Sequence, residues 1–314
     1  ERTPRNFIPN PEIQTKVLQS LNIQESELAY LSASSVFISN ALTFYSAVIY
    51  VTQGAMDYEE YPQFPDLICT NLGEVSKFLK QRIVSFFGEE HFSQEKNRPR
   101  LASVPNVEVR YEKGTGRLIC LGRYYGHKTY MQQLHPYSRI IFMNKNQEGK
   151  LFRLYDAEVA DLLSKAVYVY LKDSSDCICS VPARKGTVNR FERIVEKIAQ
   201  ENGLENISHQ FVAKRDYGKQ KLLSHAERKK NVKDAFSFEG NLQGKRVILL
   251  DDIIASGETL RECALTLKAA GADEIAFLTF AINQKEIEYG TANQPKVCCP
   301  QCGMPMKLFA NSSN

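Results

Sequence analysis

The chain has 314 residues, of which 43% are hydrophobic and 24% charged, and its formal net charge at pH 7 is +4. This composition is typical of a soluble globular protein. The length allows one large domain or two ordinary ones. A net charge this small does not by itself indicate nucleic-acid binding.

Cysteine usage and hydropathy bear on the location of the protein in the cell. The eight cysteines are dispersed except for a cluster at the end, which favours a reducing cytoplasm over a disulfide framework. Residues 28–56 carry no charge and are long enough to span a bilayer, but Ser39, Asn40 and Thr43 lie in the middle. We therefore expect a buried helix there, and a membrane helix is the alternative.

Residues 1–150 are predicted to form an α+β region. Pro11 suits the first position of a helix over residues 10–23, and residues 72–88 predict a second helix that ends at Gly88. Residues 107–124 and 139–156 each predict a β-hairpin, with turns at residues 113–116 and 146–149. Together these hairpins would form a small antiparallel sheet.

From about residue 155 the pattern changes to alternating helices and short apolar strands. Helices are predicted over residues 157–173, 190–204 and 257–272, and strands over residues 177–182, 207–215, 245–252 and 274–283. Such alternation predicts an α/β fold with a parallel sheet flanked by helices and with ligands at its carboxyl edge. We expect this domain to cover residues 151–290, followed by a cysteine-containing tail over residues 291–314.

The segment VILLDDIIASGETL, residues 247–260, combines features that suit a ligand with a diol and a phosphate. Two adjacent carboxylates, Asp251 and Asp252, raise one another's pKa unless a cation or hydrogen-bond donors offset their repulsion. Four residues after the start of this pair, Ala255–Thr259 provides a glycine, two hydroxyls and backbone N–H groups at a helix N-terminus. Ribose 5-phosphate carries both groups.

This segment resembles the signature of type I phosphoribosyltransferases, whose acidic pair and following loop bind phosphoribosyl pyrophosphate (PRPP). The resemblance implies that Asp251 and Asp252 accept hydrogen bonds from the ribose hydroxyls or bind the Mg²⁺ that accompanies PRPP. It also implies that the loop holds the 5-phosphate through Ala255, Ser256, Gly257, Glu258 and Thr259. Glu258 departs from the family, which has a small residue there, and Ala255 replaces a common hydroxyl residue. Because an acid would repel phosphate, we expect Glu258 to face outward.

A basic segment follows the strand predicted over residues 177–182. It comprises Pro182, Ala183, Arg184 and Lys185, at the place where the family has its pyrophosphate-binding loop. Arg184 and Lys185 would neutralise the diphosphate. An ordinary basic loop is the alternative.

Residues 213–238 are similar to a segment of ComF-like proteins. The matching positions are Arg215, Gln220, Leu223, Arg228, Asn231, Ala235 and Phe236. The resemblance implies that Arg215, Gln220, Arg228 and Asn231 belong to the cover of the active site. Residues 184–233 hold thirteen Lys or Arg and six Asp or Glu, a net charge of +7 that suits PRPP or nucleic acid.

The tail carries a Cys-x-x-Cys pair, Cys299 and Cys302, with Cys298 beside it. A structural zinc site needs four ligands, so zinc binding here would require a distant cysteine or a second subunit. A reduced tail without metal is the alternative.

These features predict a PRPP-dependent phosphoribosyltransferase, a glycosyltransferase that uses Mg²⁺ and releases pyrophosphate. The acceptor is unidentified, and a nitrogenous base or a nucleotide-related compound suits the family. The alternative is a non-catalytic module that binds PRPP or a nucleotide, either in DNA handling, as in ComF-like DNA uptake, or in antiviral defence, as a retron accessory protein. Partners of this alternative are nucleic acid or a protein that handles it. Oligomeric state stays open.

Overall fold

The computed structural model describes residues 11–42, 47–61, 63–81, 83–84, 86–92, 101–102, 107–126, 135–146, 152–185, 187, 189–217 and 225–284. The chain divides into two compact units. One combines residues 1–50 with residues 286–314, and the other covers residues 51–285. The boundary predicted at residue 150 therefore falls inside the second unit.

The described part of the first unit begins with the predicted N-terminal helix. Its elements are α1 (Pro11–Leu21), β1 (Ala29–Ser32), α2 (Ser35–Ala41) and β2 (Ala47–Val51), whose last residue begins the second unit. Strands β1 and β2 pair in parallel, with Ala29 opposite Ala47. The single buried helix expected over residues 28–56 is wrong, because two strands and a short helix occupy this stretch. Among the described residues, none of the helices is long and apolar enough to cross a membrane.

The second unit contains the remaining elements. Before residue 150 they are β3 (Met56–Asp57), β4 (Leu67–Cys69), α3 (Leu72–Gln81), β5 (Ile83–Val84), α4 (Phe87–Phe92), β6 (Leu101–Ala102), β7 (Val107–Tyr111), β8 (Gly114–Cys120), β9 (Arg123–Tyr124) and α5 (Pro136–Asn146). After it they are α6 (Phe152–Tyr170), β10 (Cys177–Ser180), α7 (Glu192–Asn202), β11 (Glu205–Asn206), β12 (Phe211–Ala213), α8 (His225–Val232), β13 (Phe236–Phe238), β14 (Arg246–Ile254), α9 (Glu258–Ala269) and β15 (Glu274–Asn283).

One mixed sheet organises this unit, in the order β11-β10-β14-β15-β8-β7-β3, with β9 beside the end of β15. Strands β11, β10, β14, β15 and β8 are parallel neighbours, as predicted for the C-terminal part. The N-terminal hairpin β7–β8 supplies the edge beyond β15. The sheet is therefore built from both sides of residue 150.

Helices cover the two faces of this sheet. Ile248 and Leu250 of β14 lie in one buried cluster with residues of α6 and α7. Val247 and Leu249 are equally buried, and they point to the opposite face because side chains alternate along a strand. Helix α9 packs against β14 with its own buried row, which includes Leu260, Cys263 and Leu267. The predicted parallel sheet flanked by helices is thus confirmed.

Three sequence predictions of local structure are wrong. Helices α5 and α6 stand where the second hairpin was expected, and residues 147–149 of its predicted turn lie outside the described residues. The helix expected over residues 72–88 ends at Gln81 and is followed by β5 and α4. The strand expected over residues 207–215 shortens to β12, which pairs with β13 in a separate two-stranded sheet.

Candidate active site at the carboxyl edge of the sheet

The acidic pair lies at the carboxyl end of a central strand. Strand β14 runs between β10 and β15, and its apolar residues Val247–Leu250 are buried. Asp251 and Asp252 follow them and are partly exposed, and the strand continues to Ile254. Because ligands of parallel sheets bind at this edge, both carboxylates are placed to contact one.

The two carboxylates are held by nearby backbone groups and by one arginine. The backbone N–H of Asp252 donates to Oδ1 of Asp251 at 2.8 Å, and that of Ile253 donates to Oδ1 of Asp252 at 2.7 Å. Nη2 of Arg190 lies 2.5 Å from Oδ2 of Asp252. Burial raises the pKa of Asp251 above its usual value, the charge of Asp252 adds to this shift, and Arg190 opposes it. A ligand with hydroxyl donors or a cation would relieve this repulsion.

The loop after β14 leads directly into helix α9. Ala255 is exposed, and Ser256 and Thr259 are partly exposed on either side of Gly257. Gly257 has a left-handed backbone, with φ 67°, and stands at the N-cap of the helix. The loop therefore presents two hydroxyls at the positive end of a helix, as the sequence predicted.

Glu258 does not face outward, and that expectation is wrong. Its side chain is buried, with the whole residue 7% exposed, and its Oε1 lies 3.1 Å from Nη1 of Arg261. The same nitrogen of Arg261 donates to the carbonyl oxygen of Ser256 at 3.1 Å. Burial of this acid is tolerated because Arg261 supplies the opposite charge. Arg261 thus joins the loop to the first turns of α9 and neutralises Glu258 there.

Residues 57–60, far upstream in the chain, contact the same loop. Nη2 of Arg261 lies 2.9 Å from Oε2 of Glu59, and its guanidinium stands over the ring of Tyr58. Tyr58 is 2% exposed and packs on Gly257, where a Cβ would come within 2.1 Å of the tyrosine hydroxyl. Sequence analysis missed this contact because nothing local links residues about two hundred positions apart.

The predicted pyrophosphate loop reaches the same edge of the sheet. The backbone N–H of Val181 donates to the carbonyl oxygen of Leu250 at 2.8 Å, which places the following Pro182 and Ala183 beside the acidic pair. Arg184 is partly exposed, with its guanidinium 5.5 Å from the ring centre of Tyr217, and Lys185 is exposed. Tyr217 is buried, so its ring gives Arg184 a fixed surface to pack against.

The predicted cover is only partly described. Arg215 donates to the carbonyl oxygen of Asn231 at 3.0 Å and also to that of Lys233, so it ties the end of β12 to the end of α8. Arg228 and Asn231 lie on α8, which packs against α9. Gln220 lies outside the described residues. Their role as a cover stays a prediction.

Tyr124 of β9 is a neighbour of the acidic pair that sequence analysis did not identify. Strand β9 pairs with the end of β15, which places Tyr124 at the carboxyl edge. Burial raises the pKa of its hydroxyl, and the charge of Asp252 adds to the shift. The preceding Arg123 anchors the strand through Glu89, with its Nη2 2.8 Å from Oε2 of that acid.

Comparison with protein families decides what this arrangement is. Residues 155–310 match the family described as the phosphoribosyl transferase domain. The C-terminal half of the chain is a type I phosphoribosyltransferase domain. In this phosphoribosyltransferase domain, β14 carries the acidic pair, the following loop opens α9, and β10 leads into the basic loop. Its predicted fold class is confirmed.

Two curated proteins show local similarity to the chain. It is 45% identical over 49 residues to ribose-phosphate pyrophosphokinase 4 of Oryza sativa subsp. japonica, a match that covers 15% of this chain and 15% of that protein. It is 40% identical over 53 residues to the DNA utilization protein YhgH of Escherichia coli K12, which covers 17% of this chain and 23% of that protein. The chain thus matches less than a quarter of the length of either relative. The similarity to YhgH supports the ComF-like resemblance.

Among solved structures, purine phosphoribosyltransferase from Pyrococcus horikoshii Ot3 is similar, with 19% sequence identity. The match covers 42% of this chain and 85% of that chain, with a TM-score of 0.27.

The acidic pair of the phosphoribosyltransferase domain fits a Mg²⁺ ion that is shared with a phosphorylated ligand. No group of three or more His, Cys, Asp or Glu residues within the described ranges is arranged to hold a metal ion alone. Mg²⁺ is commonly bound through one or two carboxylates together with substrate phosphates, and Asp251 and Asp252 supply that number. Cys299 and Cys302 lie outside the described residues, so zinc binding stays a prediction.

Proposed function

We propose that the chain binds PRPP with Mg²⁺ and transfers its ribose 5-phosphate to an acceptor, releasing pyrophosphate. The order of groups along one edge of the sheet carries this proposal. Asp251 and Asp252 can accept hydrogen bonds from the two ribose hydroxyls, and residues 255–259 can bind the 5-phosphate at the start of α9. The match to the phosphoribosyl transferase domain family supports it.

The reaction breaks the bond between C1 of the ribose and the diphosphate oxygen. That oxygen keeps the bonding electrons, and Arg184 and Lys185 provide positive charge for the departing pyrophosphate. An acceptor nitrogen attacks the oxocarbenium-like C1 with its lone pair and then loses its proton. When bound, Mg²⁺ supplies further positive charge for the diphosphate. The site acts by positioning and electrostatic stabilisation, so it needs no covalent nucleophile.

A pyrophosphate-release assay tests catalysis. PRPP and Mg²⁺ are incubated with the protein and with each member of a panel of nitrogenous bases and nucleosides. We expect slow release from PRPP alone and faster release with one acceptor. PRPP binding without release in the presence of any acceptor would contradict the transferase and favour a binding module.

A non-catalytic module in DNA handling is the second candidate. The similarity to the DNA utilization protein YhgH and the net charge of +7 over residues 184–233 favour it. An accessory protein of a bacterial defence system is a variant of this candidate. It predicts retention on single-stranded DNA that weakens steeply as salt rises, since each phosphate contact releases counterions. Elution that does not depend on salt would contradict it.

A further inference from the structure

Arg190 pairs with one of the two carboxylates that the proposed function assigns to the ribose. Its Nη2 lies 2.5 Å from Oδ2 of Asp252, and the side chains of Arg190 and Asp252 are 41% and 17% exposed. A ribose hydroxyl that donates to Asp252 must therefore share the carboxylate with the guanidinium or displace it. Displacement costs binding energy unless the arginine gains another anionic partner.

The residues on both sides of Arg190 are anchored by their side chains, whereas the side chain of Arg190 is partly exposed. Nδ2 of Asn189 donates to Oγ of Ser180 at 3.1 Å, at the end of β10. Phe191 is buried, with its ring edge-on to that of Phe280. The guanidinium lies over the Phe191 ring, 4.7 Å from its centre. The backbone of Arg190 is thus fixed at the carboxyl edge, while its guanidinium can change position.

The ligand itself offers the second partner. Arg190 follows the basic loop of Arg184 and Lys185 in the chain, on the side where the proposed function places the diphosphate. A guanidinium forms paired hydrogen bonds with phosphate oxygens, which makes a diphosphate a stronger partner than one carboxylate. PRPP carries that diphosphate on C1, and ribose 5-phosphate does not.

We propose that Arg190 is a specificity-determining residue that exchanges Asp252 for the diphosphate of the ligand. In the free protein Arg190 pairs with Asp252. When PRPP binds, Arg190 leaves this carboxylate to the ribose and binds the diphosphate. With ribose 5-phosphate it loses one partner and gains none. The exchange makes the site favour PRPP over ribose 5-phosphate, and this inference rests on the proposed function.

Calorimetric titration with each ligand in the presence of Mg²⁺ tests the exchange. The proteins are the wild type, Arg190→Ala, Arg190→Lys and Arg193→Ala. Arg193 is an exposed residue of α7, so its removal is a matched control for the loss of one positive charge nearby. We expect Arg190→Ala to raise the Kd for PRPP about tenfold or more, the loss typical of a charge-assisted hydrogen bond. Its Kd for ribose 5-phosphate should stay equal or fall.

The remaining proteins separate this inference from the proposed function. Arg190→Lys keeps the charge without the guanidinium fork and should give an intermediate preference, whereas Arg193→Ala should keep the wild-type preference. If Arg190→Ala weakened the binding of both ligands equally, with an unchanged melting curve, the exchange would be overturned. The proposal that the wild type binds PRPP would still stand. A wild type that binds no PRPP would overturn both the exchange and the proposed function.

Discussion

Replacing Gly257 by alanine is expected to destabilise the protein more than the same replacement at Gly203. Both glycines have left-handed backbones, with φ 67° and 68°, so a Cβ strains each by about 1–2 kcal/mol. A Cβ at Gly203, which ends α7, would meet nothing within 4 Å. At Gly257 it would lie 2.1 Å from the hydroxyl of Tyr58 and 2.8 Å from Cζ of its ring. Gly203 is therefore a control with matched backbone strain and no steric conflict.

The difference between the two variants measures the contact of Tyr58 with the loop. Tyr58 is almost fully buried, so either its ring or the loop must move, and overpacking of this kind costs about 1–3 kcal/mol. We expect Gly203→Ala to lose about 1–2 kcal/mol and Gly257→Ala about 2–5 kcal/mol. Urea unfolding followed by far-UV circular dichroism suits this chain, which contains no tryptophan. Gly257→Ala should also weaken PRPP binding. Equal losses of stability in both variants would refute the packing of Tyr58 on the loop.

Two further substitutions test charges that the structure buries. Glu89→Gln should lower the free energy of unfolding by about 3–5 kcal/mol at pH 7, because it leaves the buried Arg123 without its main carboxylate. Although burial alone would raise the pKa of Glu89, Arg123 and His135 hold it below the usual value. The stabilisation by Glu89 is therefore present above about pH 4.3 and lost as pH falls. The difference in free energy of unfolding between variant and wild type should shrink accordingly in acid unfolding curves. A constant difference would contradict this. Glu258→Gln should change the free energy of unfolding by less than about 1 kcal/mol, since Arg261 keeps its ion pair with Glu59. Calorimetry should show that the affinity for PRPP rises a few fold. A loss of affinity would mean that the carboxylate of Glu258 positions the loop.

The central elements of the C-terminal fold could be predicted because each of them has a local signal. Strand β15 has the predicted bounds, and β14 and α9 differ from theirs by one to three residues at each end. The hairpin predicted over residues 139–156 was wrong because short apolar runs such as Ile140–Phe142 suit a helix as well as a strand. Helix α5 there packs against α4, α6 and β9, so tertiary contacts decide between the two.

The candidate site could be predicted only where its residues are neighbours in sequence. Asp251, Asp252 and the following loop share one segment, whereas Arg190 lies about sixty positions before Asp252, and Tyr58 lies much further from Gly257. No local pattern signals such contacts. Glu258 is different, because an acid three residues before Arg261 on a helix is a recognisable pair. That spacing could have indicated that Glu258 is neutralised within α9.

Calorimetric titration of PRPP with Mg²⁺ into the wild type and into Asp251→Asn/Asp252→Asn tests the central claim most directly. Both proteins should give the same far-UV circular dichroism, since Asn keeps the size of Asp and both side chains are partly exposed. The wild type should bind PRPP, and the double variant should bind at least about 100-fold more weakly, because two charged acceptors for the ribose and Mg²⁺ are lost. Unchanged binding in the double variant would contradict the assignment of this site.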